Sequence, residues 1–519
     1  MTPDPQSLPR PATVGELIAR SDDHPALLVP GGLALNYAEL HQTVAALAAQ
    51  LRDAGVAPGD TVALSVGNAP HAVACFLAVL SMRAAAAPLN PAYTIPEARG
   101  YLDDLRPRAL ITEPGAEHGA VGACQERGVA RLDVAPTERA VARFRLDGAG
   151  AGTETTATAA ATGTRGSDRE RSRPDDVALV LHTSGTTSRP KVVPLRQRNL
   201  AASIAGIIDC YALTPADVSH CVMPLFHVHG LVASTLATLA SGGTVLVPPR
   251  FSAGAFWADC VAHGATWFSA VPTIHQVLSL RGDTEPIPPH GLRFARSCSA
   301  ALSPTLAQRV ERLLEVPLLQ AYGMTEAAHQ MASNPLPPGD RRDASVGRAT
   351  GPQIAILDDD WRPQAPGVAG EVSISGPTVV DGYRDNPEAN ASAFRDGWFR
   401  TGDLGRLSDD GYLTLDGRIK ELINRGGEKI SPFEVEEALL THPAVDEAVA
   451  YALPDEKYGE VVAAVVVAHG AAGERELSEH CAARLAPFKV PTVIADLDAI
   501  PKGPTGKVQR RLLAQLVKQ

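Results

Sequence analysis

Cysteine is scarce and unpaired in this sequence. The seven cysteines are scattered through 519 residues, odd in number and with no CxxC pair. That excludes a disulfide frame or a cysteine-built zinc site and predicts free thiols in a reducing compartment. No run of about 18 apolar residues occurs, so no membrane span is expected. The opening stretch, MTPDPQSLPRPATVGEL, lacks the apolar segment of a secretory leader. The closing stretch, LAQLVKQ, carries no lipidation or peroxisomal signal. Positive charge is also short. Lys and Arg number 47 against 58 Asp and Glu, a net charge of -11. An acidic chain gives no electrostatic reason to expect nucleic-acid binding. A cytoplasmic protein without stable membrane insertion is therefore expected.

A Walker A loop is missing too, although a loop of similar composition is present. Residues 182–191 read HTSGTTSRPK, with small hydroxyls around one glycine, then a basic residue, a proline and a lysine. Walker A requires glycine directly before its lysine and Ser or Thr directly after. Here Pro190 precedes Lys191 and Val192 follows. The next residues, VVPL, are β-branched and then proline, which favours a strand over a helix. The loop therefore lacks the helix N-terminus that binds anions in Walker A proteins. Backbone amides, hydroxyls and Lys191 must serve instead.

What is present is the patterning of an α/β protein. A hydrophobic content of 45% suits large buried cores. Residues 34–56 have helical periodicity and end at Gly55. TVALSV, from Thr61, reads as a strand, and HAVACFLAVLSMRAAAA, from His71, as a second helix. Alternation of this kind predicts an α/β sheet. Residues 147–173 are rich in Ala, Thr and Gly and then in mixed charge; no apolar face can be drawn through them. They read as a disordered surface insertion. Strand and helix alternate again to about residue 415. In the stretch from Gly411, two strands end in a Gly-rich turn and a helix begins near Pro432. The last hundred residues read as a small α+β unit, and no internal repeats occur.

Five stretches, in order, resemble the adenylate-forming superfamily of acyl-CoA synthetases, adenylation domains and firefly-type luciferases. They are HTSGTTSRPK, QAYGMTEAAHQ from Gln320, GWFRTGDLG from Gly397, DGRIKELINRGGEKISPFEVE from Asp416 and PKGPTGKVQRR from Pro501. The resemblance covers nearly the whole chain. It implies a large N-terminal domain of layered α/β sheets (1–419) and a small mobile α+β C-terminal domain (420–519) with its hinge at Lys420. It also implies a two-step reaction. A carboxylate attacks the α-phosphate of ATP and pyrophosphate leaves; then the thiol of coenzyme A attacks the acyl-AMP and AMP leaves. Neither step needs a protein nucleophile, only positioning and charge stabilisation.

The resemblance also implies residue roles. Thr183, Ser184, Gly185, Thr186, Thr187 and Lys191 would hold the β and γ phosphates. Thr325 would contact the α-phosphate and Glu326 would hold Mg²⁺, a hard ion that favours carboxylate oxygen. Tyr322 would stack on adenine, with Ser299 and Ala300 at the purine edge. Asp403 and Arg418 would take the ribose, and Lys507 would neutralise charge between the attacking carboxylate and the α-phosphate. Rotation about Lys420 would withdraw Lys507 and present Arg425, Gly426, Gly427 and Lys429 to CoA. Taken singly, Glu326 reads as a solvated loop acid, Asp403 as a turn residue and Lys507 as part of a basic tail. The ordered motifs overturn those readings. Ser188 and Val192 stand where many relatives have glycine.

The acyl pocket should be lined near His227, Ser299 and residues 323–332. Long apolar walls would suit a fatty acid; this chain offers His227, His229, Ser299 and His329 instead. Such donors suit a short, charged acid. The longer stretches PLFHVHGL, ATWFSAVPTIHQ, RSCSA and TEAAHQMASNPLP resemble the oxalate–CoA ligases of plants and fungi, which implies oxalate as the acid. The alternatives are a ligase for medium-chain, fatty or aromatic acids and an adenylation enzyme that loads a carrier protein. A luciferase-like oxidase or a non-catalytic binding protein would use the same fold.

Overall fold

The computed structural model describes residues 12–514 except 33, 138–142, 149–170, 184–189, 283, 471, 504–507, 509 and 511–512. Two large mixed sheets carry the N-terminal part. The seven-stranded sheet runs, in spatial order, Phe144–Asp147, Ala130–Pro136, Ala109–Thr112, Thr61–Ser65, Ala85–Pro88, Val177–Thr183 and Lys191–Arg196. Its interior pairs are parallel and its two edge pairs antiparallel. The nine-stranded sheet contains, side by side, Val218–His220, Trp267–Ala270, Phe294–Ser297, Leu318–Met324 and His329–Ser333. The first four of these are parallel, and His329–Ser333 turns back antiparallel. Strands covered on both faces are near-continuously apolar, which makes any polar residue inside them informative.

The first predicted helix forms as Tyr37–Asp53. Asn36 accepts from the Glu39 N–H at 2.7 Å, and the Glu39 carboxylate accepts from the Asn36 N–H at 3.1 Å, a reciprocal cap. Leu40, Leu47 and Leu51 form its buried stripe. The second is shorter than the pattern implied: the helix is Pro70–Ser81, and Ala85–Pro88 is a strand. Arg83, at φ 63°, breaks the chain direction between them. Alanines 85–87 are fully buried between two neighbouring strands, where small side chains fit, and periodicity alone does not separate that from helix.

The alternation expected to reach residue 415 stops near Met324. Beyond it lies an antiparallel sheet of Gln353–Leu357, Gly370–Ser375 and Trp398–Leu407, flanked by Phe394–Arg395 and Leu413–Arg418. A small α+β unit follows. Its sheet joins Glu428–Ile430, Ile423–Arg425, Gly459–Ala468 and Val445–Asp455, with Val493–Asp496 added parallel. The helices Pro432–Leu440 and Glu474–Ala482 pack on a core of Ile423, Ile430, Val435, Leu439 and Val462. Side-chain links to the larger part include Gln276 Nε2 to the Asp446 carbonyl at 2.5 Å and Thr305 Oγ1 to Glu437 at 3.4 Å.

Most of the expected insertion lies outside the described residues, but its ends are built in. Asp147 closes a strand, and Ser172 Oγ donates to the Leu80 carbonyl at 2.8 Å. All seven cysteines are free. Among the described residues no helix is long and apolar enough to cross a membrane.

Candidate active site

The HTSGTTSRPK loop closes a β-hairpin. Val177–Thr183 and Lys191–Arg196 pair antiparallel, with Thr183 opposite Lys191 and His182 opposite Val192. Ser184, Gly185, Thr186 and Thr187 lie outside the described residues. Val192 now has a physical role. It is buried with Val180, Ala87 and Leu89, and its carbonyl accepts from the Arg384 N–H at 3.0 Å. A glycine there would leave that core contact empty. At the hairpin's other arm, His182 sits 3.4 Å from Asp104 and edge-on to Tyr101. His182, His227 and Thr325 line one cleft together with Asn90, Tyr93 and Tyr101.

Lys191 reaches the aromatic residue that orients Glu326. Its Nζ lies 4.3 Å from the centre of the Tyr383 ring, and the Tyr383 hydroxyl donates to Glu326 Oε1 at 2.9 Å. Thr325 and Glu326 occupy a single 3₁₀ turn, Thr325–Ala327, directly after the strand Leu318–Met324. Burial pushes the Glu326 carboxyl above its ordinary range, against the lowering pull of the Tyr383 hydrogen bond and of Arg418 and Lys191. Burial likewise lowers Lys191, Glu326 opposes that, and Lys420 adds to it. Glu326 is buried and Lys191 partly so, which suits a site completed by phosphate and a divalent cation.

Asp403 is held from two sides. It stands opposite Arg418 in the pair Trp398–Leu407 and Leu413–Arg418, with Arg418 Nε 3.0 Å from Oδ1. The Tyr322 hydroxyl donates to Oδ2. Burial first, and then the Asp403 charge, hold the Tyr322 hydroxyl well above its ordinary range. Tyr322, Asp403 and Arg418, expected at the nucleoside, are thus brought together from three strands. Asp403→Asn keeps an acceptor for Tyr322 and removes the charge opposite Arg418. ATP KM is expected to rise about tenfold, in line with one charge-assisted hydrogen bond, with kcat changing far less. Steady-state kinetics checks this, and an unchanged KM would remove Asp403 from nucleotide binding.

The polar residues expected at the acid converge on one that the sequence reading passed over. Arg296, in the strand Phe294–Ser297, is fully buried. Its Nε donates to Tyr211 Oη at 2.7 Å, Nη1 to Ser269 Oγ at 2.8 Å and Nη2 to Gln330 Oε1 at 2.9 Å. Nη2 also lies 3.1 Å from His329 Nε2. His229 opens a π-helix, His229–Leu236, a geometry frequent at functional sites. Its ring stacks on His329 with centroids 5.1 Å apart. His229 Nε2 is 2.7 Å from Ser269 Oγ, and Nδ1 is 3.0 Å from Ser299 Oγ. Ser299 and His329 both have left-handed backbones, φ 73° and 102°. For non-glycine residues such strain concentrates at functional sites. Gly323 is obligatory, because a Cβ there would meet the His329 carbonyl oxygen at 2.3 Å. His227 lies on the cleft with Thr325, and Ala300 is exposed beside Ser299. Arg296 had one signal in the sequence: a cation inside a strand that neighbours cover on both sides.

On the small C-terminal unit, Lys420 lies in a 3₁₀ turn, Ile419–Glu421. Gly426 and Gly427, at φ 60° and 97°, make the turn between Arg425 and Glu428, with Lys429 exposed beyond it. The Arg425 guanidinium covers the Tyr458 ring at 4.7 Å. Lys507 lies outside the described residues. Its flanks are anchored: Lys502 bridges to Val508, and Lys502 Nζ pairs with Glu447 at 2.6 Å. Arg510 donates to the Ala450 carbonyl at 2.7 Å and pairs with Glu421 at 3.2 Å and with Glu436.

Comparison with known proteins gives a consistent picture. Residues 16–384 match the AMP-binding enzyme family and residues 434–507 match the AMP-binding enzyme C-terminal domain. The chain is 46% identical to an oxalate–CoA ligase of Arabidopsis thaliana over 500 residues, covering 95% of each chain. It is 37% identical to a sulfoacetate–CoA ligase of Cupriavidus necator, covering 96% of each. ATP-bound MatB from Rhodopseudomonas palustris superimposes with a TM-score of 0.87 at 29% identity, covering 98% of this chain and 99% of MatB.

Proposed function

The chain belongs to the AMP-binding enzyme family, and from that premise we propose that it is an ATP-dependent acid–CoA ligase whose acid is oxalate. One carboxylate oxygen attacks the α-phosphorus of ATP, and the bond to pyrophosphate breaks. The thiol sulfur of CoA then attacks the acyl carbon of oxalyl-AMP, AMP departs, and the thiol proton passes to solvent.

Mg²⁺ would arrive with ATP as part of the substrate. Among the described residues no group of three or more His, Cys, Asp and Glu could hold a metal by itself. Mg²⁺ commonly binds through one or two carboxylates together with substrate phosphates, and the buried, Tyr383-held Glu326 fits that role. Lys191 and the hairpin loop would hold the departing phosphates, Thr325 the α-phosphate, and Tyr322, Asp403 and Arg418 the nucleoside. Residues 420–519 would rotate about Lys420 between half-reactions, exchanging Lys507 for the Arg425–Lys429 turn. The free cysteines fit a reducing, cytoplasmic setting.

The observation that carries the choice of acid is the stacked His229–His329 pair with Ser299, which sets polar donors where a fatty-acid site needs apolar wall. Pyrophosphate release should be measured with oxalate, malonate, sulfoacetate, acetate, octanoate and 4-coumarate. Oxalate is expected to give the highest kcat/KM by at least about tenfold, a difference of ~1.4 kcal/mol in barrier. Turnover of octanoate with none of oxalate would overturn the assignment. AMP release that needs CoA separates a ligase from an enzyme that loads a carrier protein.

A further inference from the structure

Arg296 is a buried cation without a counter-ion. Among the described residues no carboxylate forms an ion pair with it, and the groups that bear on its charge are Tyr211 and neighbouring cysteines. Burial raises both Tyr211 and Cys210, which keeps them neutral. Taking an unpaired charge out of water costs several kcal/mol unless hydrogen bonds offset it. Four elements supply those bonds. Tyr211 comes from the helix Gln197–Tyr211, Ser269 from Trp267–Ala270, and His329 and Gln330 from His329–Ser333. His229, from the π-helix, completes the surround, with Nε2 at 3.5 Å from Nη1. A guanidinium stays protonated at any relevant pH and only donates.

That one-way donation sorts the protons around it. His329 Nε2 faces Nη2 at 3.1 Å and can only accept, so the His329 ring is neutral with its proton on Nδ1. Nδ1 is the edge beside Gly323, where a Cβ would stand 3.1 Å away. Ser269 Oγ accepts from Nη1, which leaves its own proton for His229 Nε2 at 2.7 Å. A proton on His229 Nε2 would instead confront the guanidinium. His229 therefore also carries its proton on Nδ1 and donates it to Ser299 Oγ at 3.0 Å. Ser299 is left with its hydroxyl proton to give. Two donor chains thus begin at Arg296. One runs through His329 to its Nδ1–H and the other through His229 to the Ser299 hydroxyl, and both His329 and Ser299 have strained backbones.

We propose that Arg296 is the positioning and specificity-determining residue of the acyl site. It fixes both donor chains toward the acid, and its unbalanced charge favours an acid with a second negative group over a monocarboxylate. The inference rests on the reading that His229, Ser299 and His329 line the acyl site. The Arg296 guanidinium bonds only to other side chains of the network, so it is a positioning and not a catalytic residue.

Two measurements test it. In the wild-type protein, ¹⁵N spectra of the histidine side chains should show His229 and His329 neutral and protonated on Nδ1 from pH 6 to 8. A cationic ring, or a proton on Nε2 of His329, overturns the proposal without any variant. Arg296→Gln removes the charge and leaves one amide donor. KM for oxalate should rise about tenfold or more. KM for ATP should stay within about twofold, and the preference for oxalate over acetate should shrink by a similar tenfold factor. Arg296→Lys keeps the charge and should keep the preference. An Arg296→Gln protein with unchanged oxalate KM overturns the proposal. A wild type that rejects oxalate but turns over octanoate removes the assignment of the acid, and the histidine spectra still decide the proton arrangement.

Discussion

Lys507→Ala is expected to slow adenylation by about a thousandfold, ~4 kcal/mol of barrier. Thioester formation from supplied acyl-adenylate should stay within about threefold of the parent rate. The asymmetry follows from charge. In the first step an anionic carboxylate approaches an anionic phosphate, and a cation placed between them relieves repulsion that is strongest in the transition state. In the second step the phosphate is leaving and the thiol attacks carbon, so the same cation has no repulsion to relieve. The described residues on either side of Lys507 are anchored. Lys502 bridges to Val508 and pairs with Glu447, while Arg510 is tied to Glu421, Glu436 and the Ala450 carbonyl. Pyrophosphate exchange measures the first step, and CoA-dependent release of AMP from synthetic acyl-adenylate the second. Equal loss in both would show that Lys507 has another role.

Glu326→Gln should separate activity from stability. Pyrophosphate release is expected to fall by about a thousandfold, because a neutral amide is a poor ligand for Mg²⁺ on the phosphates. The protein should melt no lower than the parent at pH 8. The folded state holds the Glu326 proton more tightly than the unfolded chain does, because burial raises its carboxyl. The stability tied to that proton is present below the unfolded carboxylate value of about 4.3 and is lost as pH rises through the folded one. At pH 8 the ionised side chain is therefore a burden that glutamine removes, while its carbonyl still accepts from Tyr383. Melting curves with and without MgATP check both halves. A variant that retains full activity, or one that gains as much from MgATP as the parent, would remove Glu326 as the metal ligand.

The strand that follows the HTSGTTSRPK segment was legible from local chemistry. The β-branched run and proline after Lys191 favoured a strand over a helix there, and the strand register bears this out. The α+β character of the C-terminal unit was legible for the same reason, since its strands and helices each carry their own period. The strand at Ala85–Pro88 was not, because three alanines carry no period. Nor were the partners inside the site. Glu326 is oriented by Tyr383, and Asp403 by Tyr322 and Arg418, across sequence distances that only the sheets close. Arg296 shows the limit most clearly. Its place inside a covered strand is a local signal, but Tyr211, Ser269, His329 and Gln330 lie on three other segments, so nothing near it in sequence reveals its partners.

The shared anchorage of that network bears on how such a pocket changes over generations. Tyr211, Ser269, His329 and Gln330 all spend a hydrogen bond on one guanidinium. Losing any one leaves a buried cation short of a partner, and losing Arg296 leaves four polar groups in the same position. Lone substitutions toward a greasier pocket should each harm the protein, while a matched set of apolar replacements could be harmless. Drift toward fatty acids therefore crosses a valley of poorly folding intermediates. A designer seeking that conversion should exchange the whole cluster in one step.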